Sequence, residues 1–155
     1  MNRLVIMGVS GAGKSTLGAA LAARLGWRFL DADDYHSNEA KARIAAGGVL
    51  NEADRDLWLA RVHPVFHGPD GPAILACSAL KARHRETLLP HILVYIHIDR
   101  ALADTRLANR RDHFAGPAIA QSQFAVLEPP TDAIIVRADW STQQQVDAVL
   151  AALSL

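Results

Sequence analysis

The sequence predicts a three-layer α/β fold, a five-stranded parallel sheet with helices on both faces, built as one domain over residues 1–155. Three observations predict it. Short apolar runs alternate with helix-length amphipathic segments along the whole chain, the pattern of repeated strand-helix-strand crossovers. The runs themselves are almost uninterrupted Leu, Val, Ile and Ala, as strands covered on both faces must be. The first run is also followed at once by Gly8-Val9-Ser10-Gly11-Ala12-Gly13-Lys14-Ser15, which is glycine, four residues, then Gly-Lys-Ser at the start of a helix.

Leu4 to Met7 is the expected first strand. In the turn after it, glycines let successive backbone N–H groups curl around a phosphate, and the helix N-terminus adds a favourable dipole. This phosphate loop makes Gly8, Ser10, Gly11, Ala12, Gly13, Lys14, Ser15 and Thr16 the expected residues for binding a nucleoside triphosphate. Lys14 would reach the β- and γ-phosphates and Ser15 would hold Mg²⁺. Leu17, Leu21 and Leu25 continue at helical spacing until Gly26, which suits a left-handed helix end.

Residues 27–30 read as the second strand, ending in Asp31-Ala32-Asp33-Asp34. In an extended chain the period of two puts Asp31 and Asp33 on one side, beyond the carboxyl end of a strand, where ligands of open α/β sheets bind. An acidic turn capping the next helix would have the same composition. That helix runs over residues 37–46, and Asn51 caps a third that stops at Pro64. Because Pro64 separates His63 from His67, the pair is read as surface histidines and not as metal ligands.

The third strand is expected at residues 73–77, where Cys77, the only cysteine, reads as a small core residue and excludes an intrachain disulfide. Ser78 is the expected cap of a helix carrying Leu80, Lys81, Arg85 and Leu88, stopped by Pro90. A fourth strand at residues 92–98 leads to Asp99, the cap of a helix with Arg106, Arg110 and Arg111. Residues 112–117 read as a flap, so that about 106–124 would form a helical lid. Residues 133–136 form the fifth strand, and Ser141 with Gln144 makes a capping box for the closing helix.

Sixteen basic and sixteen acidic residues cancel, so no overall field favours nucleic acid or an anionic membrane. No apolar run approaches the roughly 20 residues of a membrane span, and the first strand begins almost at Met1. The expectation is a soluble, cytoplasmic protein.

Several further motifs occur in order: Phe29-Leu30-Asp31-Ala32-Asp33 with His36, Leu50-Asn51 with Asp54-Arg55 and Trp58-Leu59, and Cys77-Ser78-Ala79-Leu80-Lys81 with Arg85. Arg110 with His113-Phe114, then Ser122-Gln123-Phe124 and Leu127-Glu128-Pro129, complete the series. Together with the phosphate loop they resemble the gluconokinases, phosphate-loop kinases that pass the γ-phosphoryl group of ATP to the 6-hydroxyl of D-gluconate. The resemblance implies Lys14 and Asp33 as catalytic residues, Asp33 being the base, and Asp31 near the Mg²⁺ shell with Ser15. It implies Arg106 and Arg110 over the nucleotide, and Asp33, His36, Arg55, Lys81, Arg85, His113 and Gln123 at the sugar acid. A guanidinium fork suits a carboxylate, which puts Arg55 first among the cations. It also implies a homodimer, with no nucleic acid or membrane partner.

Departures from the family pattern fall mainly on the substrate side: Ser37, Ala40, Arg43-Ile44, Leu57, and His84 where a tyrosine is usual. Another sugar acid therefore stays open as acceptor. A shikimate kinase is disfavoured because Ala76 to Lys81 lacks the glycine triplet expected after the third strand. A GTP switch would need Asn-Lys-x-Asp, which the chain does not contain. A non-catalytic nucleotide-binding module would leave Lys14, Ser15 and Asp33 together unexplained.

Overall fold

The structure is a computed structural model that describes residues 2–48, 50–109 and 117–155. In chain order it has β1 (Arg3–Met7), α1 (Lys14–Leu25), β2 (Arg28–Asp31), a 3-10 turn (Ala32–Tyr35), α2 (Asn38–Ala45), α3 (Glu52–Phe66) and β3 (Ala73–Ala76). Then follow α4 (Ala82–Thr87), β4 (Ile92–His97), α5 (Arg100–Ala108), α6 (Pro117–Val126), β5 (Ile134–Arg137) and α7 (Thr142–Ala152). The five strands form one parallel sheet in the order β2-β3-β1-β4-β5. β1 is its centre, paired with β3 through Val5 and Leu75 and with β4 through Val5 and Leu93.

Alternation along β1 divides the core in two. Leu4 and Ile6 pack on one face with Leu17 and Leu21 of α1, Leu107 of α5 and Val149 of α7. Val5 and Met7 pack on the other with Trp58, Leu59, Val62 and Phe66 of α3. Burying one such side chain stabilises by about 1.5–3 kcal/mol, so both layers hold the end of β1, and the loop leaving it, in place.

Three local expectations are corrected. Helix α3 does not stop at Pro64 but runs to Phe66. Phe66 is fully buried, and its burial outweighs the one helical N–H that Pro64 cannot supply. The His63 and His67 rings then lie 4.5 Å apart, with His67 Nε2 paired to the Leu88 carbonyl at 2.8 Å, so His67 is tethered and only half-buried. Helix α4 begins at Ala82, and its N-cap is Lys81, not Ser78. Ala79 takes a positive φ of 45°, which breaks helical geometry before that point.

Candidate active site

The loop between β1 and α1 is shaped by backbone dihedrals. Gly11 and Gly13 have φ of 89° and 95°, in the left-handed region where a Cβ is strained. Gly13 is the N-cap of α1, no side chain caps it, and no acid sits in the first turn, so the helix end presents bare N–H groups and positive dipole to an anion. Lys14 Nζ donates to the Val9 carbonyl at 3.1 Å, folding the side chain back across the loop. Arg106 of α5 holds the loop from outside, donating through Nη1 to Gly11 O at 3.0 Å and through Nη2 to Ala138 O at 2.8 Å.

Strand β2 delivers the carboxylates. Ser15 Oγ donates to Asp31 Oδ2 at 2.8 Å, and Asp31 Oδ1 accepts the Asp33 N–H at 3.0 Å. Both acids reach the loop, but not by strand alternation. The chain turns into the 3-10 helix at Ala32, with Asp31 as its cap, and the turn brings Asp33 round. His36 Nε2 lies 3.7 Å from Asp33 Oδ1, and the His36 ring stacks on Trp58 at 4.3 Å. Trp58 in turn donates to Ala32 O at 2.6 Å, which fixes the 3-10 turn against α3. His36 does not cap α2; the Ser37 hydroxyl does, accepting the Ala40 N–H. His36, and after it the charge of Lys14, hold the Asp33 carboxyl below the usual carboxylate range against the opposing effect of burial.

These groups face one cleft of about 210 Å³, lined by the loop from Ser10 to Thr16, Asp31, Asp33, Ala76, Cys77, Ser78 and Gln123. Burial pushes the Cys77 thiol up to about 12, so it is an inert wall residue. The paired hydroxyl and carboxylate of Ser15 and Asp31 are hard oxygen donors of the kind Mg²⁺ takes. Among the described residues no cluster of three His, Cys, Asp or Glu could hold a metal.

Side chains at the start of α3 and of α4 bind one another. Glu52 accepts from Lys81 Nζ at 2.9 Å, meets His84 Nε2 at 3.2 Å and lies 3.4 Å from Arg83. Lys81 first, then His84, pull the Glu52 carboxyl down to about 2. Arg43 donates to Asp54 at 2.6 Å. Arg55, half-buried one turn after Glu52, makes no side-chain hydrogen bond or ion pair among the described residues. Arg85 is buried and donates to the carbonyls of Ala79 (2.8 Å), Leu80 (3.1 Å) and Glu128 (2.9 Å). The Glu128 carboxylate caps α4 through the Ala82 N–H at 2.7 Å.

The structure thus brings Ser10, Lys14, Ser15, Asp31, Asp33 and Gln123 to one cleft, with His36 against Asp33. Arg106 contacts loop carbonyls from behind, and Arg85 supports a loop. Arg110 and His113 lie outside the described residues, as does most of the expected flap. Sequence reasoning missed the side-chain role of Glu52 and the cap supplied by Glu128. Only the Leu127-Glu128-Pro129 motif could have pointed to the latter.

A family model described as shikimate kinase matches residues 10–127. The chain is 38% identical to the probable gluconokinase of Mus musculus, over 97% of this chain and 96% of the mouse protein. It is 42% identical to the gluconokinase of Gluconobacter oxydans, over 83% of this chain and 76% of that protein. The crystal structure of a gluconokinase from Sinorhizobium meliloti aligns at a TM-score of 0.88 and 30% identity, covering 99% of this chain and 91% of that one.

Proposed function

The chain belongs to the gluconokinase family, and from that membership and the cleft we infer transfer of the γ-phosphoryl group of ATP to the 6-hydroxyl of D-gluconate, giving 6-phospho-D-gluconate. It is a transferase, a small-molecule kinase on the phosphate-loop fold. The observation that carries the site assignment is the linked set Ser15, Asp31 and Asp33, which sets two carboxylates against the phosphate loop inside one cleft.

Phosphoryl transfer needs positioning and charge compensation more than covalent chemistry. The loop N–H groups and Lys14 take the phosphates. Ser15 and Asp31 would hold Mg²⁺, which when bound compensates charge on the β- and γ-oxygens. Asp33 is ionised at neutral pH, since its carboxyl lies below the ordinary range. It orients the 6-hydroxyl and accepts its proton as the oxygen bonds to the γ-phosphorus and the bond from that phosphorus to the ADP oxygen breaks.

Arg55 is the proposed partner of the gluconate carboxylate, supported by the lack of any acid on it among the described residues. Lys81 reaches the acceptor by exchanging Glu52 for another carboxylate, and His36 orients Asp33. Arg106 and Arg85 act through the loops they hold. Arg110 over the nucleotide and His113 at the acceptor rest on their motif alone. A cytoplasmic homodimer is proposed from the family resemblance; among the described residues no helix is long and apolar enough to cross a membrane.

A coupled assay of ADP release tests the reading against D-gluconate, other sugar acids, shikimate and nucleoside monophosphates. Gluconate should give the highest kcat/KM. A higher value for shikimate or a nucleotide would overturn it.

A further inference from the structure

Gln123 stands on α6, yet its side chain ends on the phosphate loop. Its Oε1 accepts the backbone N–H of Ser10 at 2.5 Å, and both residues line the nucleotide cleft. The Ser10 N–H lies on the limb of the loop nearer β1, three residues before the Gly13 cap of α1. The N–H groups at the N-terminus of α1 take the inner phosphates, and the Lys14 side chain reaches from there to the terminal one. The Ser10 N–H is therefore a donor for the outermost phosphoryl group, the one that must meet Asp33 across the same cleft.

One N–H directed at one acceptor cannot also serve a second oxygen well, so the amide of Gln123 and a phosphoryl oxygen compete for it. A charged phosphoryl oxygen makes the stronger hydrogen bond and wins the exchange. A diphosphate has no oxygen to offer there, and Gln123 keeps its place. The base of α6 is anchored meanwhile: the Glu128 N–H donates to Leu80 O at 2.9 Å, and its carboxylate holds the Ala82 N–H. Gln123 thus projects from a segment tied to the loop that carries Lys81.

We propose that Gln123 is a positioning residue for the terminal phosphoryl group, its amide oxygen holding the Ser10 N–H until a γ-phosphoryl oxygen replaces it. This rests on the kinase reading above but assigns Gln123 to the donor and not to the sugar acid. The Gln123→Ala variant loses the competing acceptor, and Gln123→Glu supplies a stronger one that also repels the γ-phosphate.

Calorimetric titration of the whole protein, Gln123→Ala and Gln123→Glu with ADP and with the non-hydrolysable analogue AMPPNP, in Mg²⁺, separates the two ligands. AMPPNP should bind about fivefold more tightly to Gln123→Ala. It should bind more than about tenfold more weakly to Gln123→Glu, while ADP stays within about twofold in all three proteins. Equal AMPPNP affinity across the three, or ADP changes in step with AMPPNP, would overturn the proposal. ADP binding reports on the phosphate loop alone, so the kinase reading would survive either result.

Discussion

The two halves of the site are built differently. The donor half is a backbone structure: left-handed glycines and a helix end aim N–H groups into the cleft, and Arg106 fixes the loop through its carbonyls. The proposed acceptor half is a side-chain structure, in which Glu52 gathers Lys81, His84 and Arg83 across two helices while Arg43 holds Asp54. Backbone dihedrals are set when the chain folds, so the donor half is pre-organised for phosphate. Side-chain ion pairs can exchange one carboxylate for another, so the proposed acceptor half would surrender internal contacts to take a sugar acid. The donor half should tolerate least change, and the acceptor half should set specificity.

Of the changes confined to one half, Lys14→Ala should show the largest effect, a loss of about 10²–10³-fold in kcat, because it removes a preorganised charge from the developing phosphoryl group. Steady-state rates at saturating gluconate measure it, and a loss under about tenfold would break the distinction between the halves. On the acceptor side, Arg55→Lys should raise the gluconate KM about tenfold with the ATP KM unchanged, since an ammonium cannot match the bidentate fork. An unchanged gluconate KM would give Arg55 a structural role. Arg106→Ala should raise the ATP KM a few-fold, roughly the worth of the charge-assisted bonds that tie the Gly11 carbonyl of the phosphate loop to Ala138 O after β5, partly replaced by water. The gluconate KM should not follow.

The smallest effect is one of pH. The Glu52 carboxyl lies at about 2 against an ordinary 4.5, so the folded state favours its ionised form. A depressed pKa contributes stability that is present above pH 4.5 and lost as pH falls from there towards 2. Between pH 5 and pH 3 the urea midpoint of the wild type should therefore fall more than that of Glu52→Gln. Parallel falls would show that the cluster around Glu52 does not set acid stability.

The same difference governs what the sequence revealed. Phosphate loop, strand runs and capping residues are local, and the capping boxes at Asn51 and Ser141 and the left-handed Gly26 stand where local chemistry puts them. The end of α3 was misjudged because the burial of Phe66, a tertiary contact, overrides the proline rule. Asp33 lines the cleft by a route that strand alternation does not describe: a 3-10 turn held by Trp58 brings it round. Glu52 and Glu128 were hidden because their partners lie far away in sequence, at Lys81 and Ala82. Arg85 is a cation that the resemblance assigns to substrate, but three carbonyls already take its donors.

On the proposed mechanism donor and acceptor meet at Asp33, so its replacement is the sharpest test. Initial rates of Asp33→Asn with gluconate, alongside titration of the variant with AMPPNP, are the measurement. Turnover should fall by about 10²–10⁴-fold with AMPPNP affinity little changed, because a proton acceptor is lost while the phosphate loop stands. A near-normal rate, or a loss of nucleotide binding equal to the loss of rate, would contradict it.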